Sequence, residues 1–130
     1  MVIIEDDEAD VFLIQEAIEI TRLSVTLHVV KDGKQAVQFF DRIERDPALP
    51  CPALVILDIN LPKVQGGDVL RHMRHGAKCA QAAVIVVSTS DSRHDRDQMA
   101  SLGAHAYFRK PSDYDDFMKL GEMIKFLLAP

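Results

Sequence analysis

Apolar residues gather in short uninterrupted runs, and between the runs they recur at helical spacing; the two patterns alternate along the chain. The clearest run is Leu54-Val55-Ile56-Leu57, which stops at Asp58 and is followed by Ile59-Asn60-Leu61-Pro62. Four consecutive apolar residues suit a strand buried on both faces, and Pro62 prevents its continuation. Val2-Ile3-Ile4 reads as the end of a first strand, already at its carboxyl edge, with little of that strand ahead of it. Residues 25–30 are β-branched and apolar and predict a second strand, with His28 on one side. Residues 83–87 predict a fourth strand ending at Ser88-Thr89-Ser90, and residues 106–108 a short fifth ending at Arg109-Lys110-Pro111.

Between these runs the period lengthens. Over 10–21, Val11, Ile14 and Ile18 share a face with Leu13, Ala17 and Ile20, which predicts an amphipathic helix. Asp7 or Glu8 offers an acid to its positive end. Asp32-Gly33 is turn chemistry ahead of a helix over 34–45, with Val37, Phe40 and Ile43 inward and Ala36 and Phe39 beside them. Pro47, Pro50 and Pro52 break the chain before the central strand, and Gly66-Gly67 opens a third helix with Val69, Leu70 and Met73 inward. Residues 93–102 predict a weakly apolar helix anchored by Met99 and Leu102 and capped by Gly103. The last helix covers 114–128, with Phe117, Leu120, Ile124 and Leu127 on one stripe.

Five strands alternating with five helices predict an α/β fold. The sheet is parallel and covered on both faces, because each right-handed crossover needs a helix. In the flavodoxin-like order 2-1-3-4-5, strands one and three are neighbours, and ligands bind at the carboxyl ends of the strands beside that switch point. Glu5, Asp6 and Asp58 then converge there, and Ser88 and Lys110 close the same rim from strands four and five.

Length and charge narrow the possibilities. The 130 residues suit one domain, 1–130, with no linker and no output domain within it. A net charge of −5 argues against a nucleic-acid partner. No apolar run approaches the ~20 residues of a membrane span, and no signal-peptide pattern follows Met1, so no membrane association and a cytoplasmic location are expected. Cys51 and Cys79 form no CxxC pair and read as two reduced thiols. His28, His72, His75, His94 and His105 are scattered and read as surface or core residues. The alternating charges of Arg93-His94-Asp95-Arg96-Asp97 suit a solvated helix face.

Three carboxylates in one crevice repel each other unless a cation is present. Mg²⁺ takes one or two protein carboxylates and keeps positions open for water and phosphate oxygens. An Asp in such a place can act as a nucleophile and form an aspartyl-phosphate. The charge of the transferring phosphoryl group then needs offsetting from several sides, here by the Lys110 ammonium and a hydroxyl such as Ser88.

Taken together, Glu5-Asp6, Asp58, Ser88 and Lys110-Pro111 resemble the signature of the receiver domains of two-component response regulators. The runs EDDEADVFLIQEA, LDINLPKVQGGDVL, VVSTSDS and AYFRKP are similar to the small stand-alone receivers that serve phytochrome-type and other sensor histidine kinases. The resemblance implies that Asp58 accepts a phosphoryl group from a kinase phosphohistidine. It implies that Asp6, Asp58 and the backbone carbonyl of Asn60 bind Mg²⁺, with Glu5 acting through water. It assigns Lys110 to the phosphoryl group, Ser88 to the switch hydroxyl, and Tyr107 to the aromatic that turns inward on activation. It implies a cis Lys110-Pro111 bond. It also implies that the fourth helix, fifth strand and fifth helix form the dimer or partner surface, and Phe126, Leu127 and Leu128 leave apolar area nearby.

Two positions depart from the family pattern. Ser88 stands where threonine is more frequent, keeping the hydroxyl without the methyl, and Gln65 precedes Gly66 where an acid is common. Competing functions fit less well. A phosphohydrolase of the haloacid-dehalogenase type needs a second Asp two residues after the nucleophile, where this chain has Asn60. A nucleotide or flavin binder needs a glycine-rich phosphate loop, which follows no strand here. An unphosphorylated scaffold has no need of the intact acid set. A phosphorelay intermediate, passing the group on to a histidine-containing partner, uses the same residues and stays open.

Overall fold

The computed structural model describes residues 1–129. In chain order the elements are β1 (Val2–Ile4), α1 (Glu8–Thr21), β2 (His28–Val30), α2 (Gly33–Arg45), β3 (Leu54–Leu57), α3 (Gly66–His75), β4 (Ala83–Ser88), α4 (Arg93–Ser101), β5 (Ala106–Arg109), α5 (Tyr114–Met118) and α6 (Leu120–Leu128). All strand pairs are parallel and the sheet order is β2-β1-β3-β4-β5. This is the doubly wound flavodoxin-like arrangement expected from the alternation of runs.

The central strand shows why its sequence is apolar throughout. Successive side chains of a strand point to opposite faces, so Val55 and Leu57 join Phe40, Ile43, Leu70, Met73 and Met99 in one core. Leu54 and Ile56 join Ile14, Ala17, Ile18, Phe117, Leu120 and Ile124 in the other. All four β3 residues are buried. Burying one such side chain is worth roughly 1.5–3 kcal/mol, which holds β3, and the residue after it, in a fixed position.

Helix starts are fixed by side-chain caps. Asp7 accepts from the amides of Ala9 and Asp10 at the head of α1, Asp32 from Gln35 at the head of α2, and Ser92 from Asp95 at the head of α4. Gly103 follows α4 with φ +85°, a left-handed conformation that costs glycine nothing.

Several expectations need correction. The second strand is three residues long rather than 25–30, because β1 offers register partners only from Val2 opposite His28 to Ile4 opposite Val30. Ile20 is 59% exposed, since it lies two residues, or roughly 200° of helix, beyond buried Ile18. The helix expected over 114–128 is divided at Lys119, where bonds from Lys119 N to Asp116 O and from Glu122 N to Lys119 O tighten the turn. Finally, Cys51 and Cys79 form a disulfide rather than two free thiols. The segments leading into β3 and β4 meet at the amino end of the sheet and bring the two Cα atoms to 5.7 Å, within bridging range; a 28-residue separation carries no such signal in sequence. No helix among the described residues is long and apolar enough to cross a membrane.

Candidate functional site

The backbone ladder continues one residue past each central strand and so fixes the residues that follow. Glu5 N donates to Val30 O and Asp58 N to Ile4 O, both at 3.0 Å, and Lys110 N donates to Ser88 O at 2.8 Å. Gly66, at the head of α3, lies so close that an added Cβ would collide with the Asp58 carbonyl. These constraints put Glu5, Asp58, Ser88 and Lys110 on one rim at the carboxyl ends of β1, β3, β4 and β5.

Lys110 is the hub of the rim. Its Nζ donates to Glu5 Oε1 at 2.5 Å, to Asp10 Oδ2 at 2.8 Å and to Asp58 Oδ2 at 3.3 Å. The lysine side chain is 7% exposed, against 2% for Glu5, 8% for Asp58 and 23% for Asp10. Burial alone would lower the Lys110 pKa, but the bonds to Asp10 and Glu5, with the charges of Asp58 and Glu5, outweigh it and hold the ammonium charged. Glu5 is pushed up to about 7, chiefly by burial, with the Asp58 charge adding to the rise and the Lys110 bond opposing it. A single ammonium thus faces more carboxylates than it can neutralise.

One oxygen each of Glu5, Asp6 and Asp58 lies within 4.8 Å of the others. Asp6 is exposed while Glu5 and Asp58 are buried, so the cluster opens to solvent on the Asp6 side. An all-oxygen set with surplus negative charge fits a hard divalent cation such as Mg²⁺. Asn60 is in the loop after β3, and its backbone N–H donates to Asp58 Oδ1 at 3.3 Å.

Ser88 is fully buried at the end of β4. Its Oγ accepts from Ser90 N at 3.2 Å, and the Tyr107 hydroxyl donates to Ser90 O at 2.9 Å. The half-buried Tyr107 ring has the Arg96 guanidinium 4.4 Å from its centroid. The switch residues named from sequence are therefore joined through one loop, 89–92.

The Lys110–Pro111 bond is trans, as are all peptide bonds among the described residues, which corrects the expected cis isomer. Trans is the intrinsically lower form of an X–Pro bond by roughly 0.5–1 kcal/mol, and in it Lys110 keeps both its backbone bond to Ser88 and its side-chain bonds to the acids. Asp10 was missed in sequence. It is the third residue of α1, and an acid in the first turn of a helix is ordinary and gave no reason to single it out.

Fold and rim together are those of a two-component receiver, and the chain belongs to the response regulator receiver domain family, whose pattern matches residues 1–122. A receiver is a signalling domain of two-component response regulators. Over 125 residues the chain is 28% identical to the response regulator Rcp1 of a Synechocystis species, covering 96% of this chain and 85% of that protein. It is 30% identical, also over 125 residues, to a probable methanogenesis regulatory protein, FilR2, of Methanothrix harundinacea, covering 96% and 80%. The crystal structure of the Mn²⁺-bound form of Rcp1 superposes with a TM-score of 0.86 at 27% identity, covering 99% of this chain and 94% of that one. The phosphorylated cyanobacterial phytochrome response regulator RcpA also gives 0.86 at 27% identity, covering 98% and 92%.

Proposed function

We propose that this receiver takes a phosphoryl group from a sensor histidine kinase onto Asp58. The observation that carries the reading is the Lys110 ammonium held between Glu5 and Asp58 on a buried rim, with Asp6 beside them. In the transfer an Asp58 oxygen attacks phosphorus, the P–N bond of the donor phosphohistidine breaks, and the imidazole nitrogen keeps the electron pair. Lys110 contributes positive charge to the phosphoryl oxygens, and Ser88 contributes a hydroxyl. Asp6, Asp58 and the Asn60 carbonyl would hold Mg²⁺, with Glu5 in support through water, and the ion would supply further positive charge to the phosphoryl oxygens. The relationship to RcpA and Rcp1 favours a phytochrome-like kinase.

Signalling follows from the same rim. A phosphoryl oxygen on Asp58 accepts from the Ser88 hydroxyl; rotation of Ser88 toward it draws Oγ away from Ser90 N and, through Ser90 O, biases the Tyr107 side chain. The surface reshaped is that of α4, β5 and α5–α6, where a target or a second copy docks; no nucleic-acid contact is part of the reading. Such a module works in the cytoplasm. Apart from its own phosphorylation and dephosphorylation it catalyses nothing.

The test is intact-mass measurement after incubation with a small acyl phosphate, with Mg²⁺ or with a chelator. Wild type is expected to gain one phosphoryl group only with Mg²⁺, and Asp58→Asn to gain none. A wild-type protein that gains no mass, or an Asp58→Asn protein that gains the same mass, overturns the reading.

A further inference from the structure

An ammonium has three N–H donors, and all three of those on Lys110 are used on carboxylates. The three bonds are unequal. Those to Glu5 and Asp10 are the short ones, and that to Asp58 is longest. Glu5 is fastened to the sheet through its backbone bond to Val30. Asp10 is fastened to the head of α1, where the Asp7 cap accepts from its backbone amide at 3.2 Å. Two anchors on different elements therefore suspend the ammonium, and its third hydrogen is turned toward Asp58.

From this geometry we propose that Asp10 is a positioning residue for phosphoryl acceptance: with Glu5 it holds the Lys110 ammonium in place, so that only the long bond to Asp58 is exchanged when the phosphoryl group arrives. The inference rests on the phosphoacceptor reading of Asp58. Its physical content is preorganisation. A lysine side chain has four carbons of freedom, and an ammonium already fixed beside the reacting oxygen need not be ordered during the reaction. With Asp10 shortened, Lys110 retains Glu5 but loses its tether on the α1 side, so the charge is present and less well placed. Asp10 touches neither the phosphoryl group nor Asp58 in this account; it acts through Lys110.

An acid in the first turn also complements the helix dipole, and the test separates that role. Glu8 is in the same turn, is exposed and pairs with Lys31 rather than Lys110. The rate of mass gain from a small acyl phosphate with Mg²⁺ is measured for wild type, Asp10→Ala, Asp10→Asn and Glu8→Ala. Asp10→Ala is expected to slow acceptance roughly three- to tenfold, Asp10→Asn, which keeps an oxygen acceptor, to fall between it and wild type, and Glu8→Ala to match wild type. In a Lys110→Ala background the same Asp10→Ala change is expected to alter the rate by less than about twofold, as for two residues acting as one unit. An equal loss in both backgrounds, or an Asp10→Ala rate equal to wild type, overturns the tether. A second reading uses no kinetics. The Lys110 Nζ proton signal in ¹⁵N-labelled protein is expected to be protected from exchange in wild type and lost in folded Asp10→Ala, and its persistence there also overturns the tether. A wild-type protein that gains no phosphoryl group removes the phosphoacceptor reading itself; normal gain in both wild type and Asp10→Ala removes the tether alone.

Discussion

Glu5 has the environment least suited to a charge: 1% exposed, beside Asp58, and relieved by one lysine. Its pKa of about 7 in the folded protein stands above an unfolded value near 4.5, so folding favours its neutral form. That contribution is fully present below about pH 4.5 and is lost as pH rises through about 7. In the presence of a chelator, the urea midpoint of wild type is therefore expected to fall across this window, and the fall to be smaller in Glu5→Gln. Equal pH slopes in the two proteins would show that burial does not govern Glu5. At this scale much of the rim was legible in sequence, because Glu5, Asp58, Ser88 and Lys110 each end or follow an apolar run, and strand ends are where a parallel sheet places its ligands. The triple bonding of Lys110 was not legible. It needs the meeting of α1 with the end of β5, 100 residues apart in the chain, and no local pattern encodes that meeting.

Among the elements, the loop from β4 to α4 is held by side-chain contacts rather than by the sheet ladder. It depends on the Tyr107 bond to Ser90 O, the Ser90 hydroxyl bond to Asp95, and Arg96, which covers the Tyr107 ring and pairs with Asp91 at 3.1 Å. Arg96→Ala removes a cation–π contact worth about 0.5–1 kcal/mol, whereas the exposed pair with Asp91 adds little. The substitution is expected to speed amide exchange at Ser90 and Ser92 while leaving the β3 amides unchanged; equal protection in variant and wild type would mean that Arg96 does not brace the loop. The helices and strands themselves were readable because each has a clean period and most have a capping residue. The short β2 and the division at Lys119 were not. One is set by how many residues β1 presents, the other by two tight backbone bonds at Lys119, and neither is a property of the segment's own pattern.

At the scale of the molecule, chemistry and staple occupy opposite ends of the sheet. Cys51 precedes β3 and Cys79 precedes β4, whereas the acids and Lys110 follow their strands. Closing a 28-residue separation restricts the unfolded chain by about 3–4 kcal/mol in the loop-entropy picture. Reduction is expected to lower the urea stability by up to about that amount while leaving the rate of phosphoryl acceptance unchanged; a large loss of that rate in folded, reduced protein would show that the two ends are coupled. Asp58 is proposed as the carboxylate that receives the phosphoryl group, and the location of that group is directly measurable. Protein treated with a small acyl phosphate and Mg²⁺ is reduced with borohydride, which converts an acyl phosphate to an alcohol, and is then digested and sequenced by mass spectrometry. The reduced side chain is expected at position 58 alone, dependent on both donor and Mg²⁺; reduction at Asp6, at Asp10 or at no residue would contradict phosphoryl transfer to Asp58.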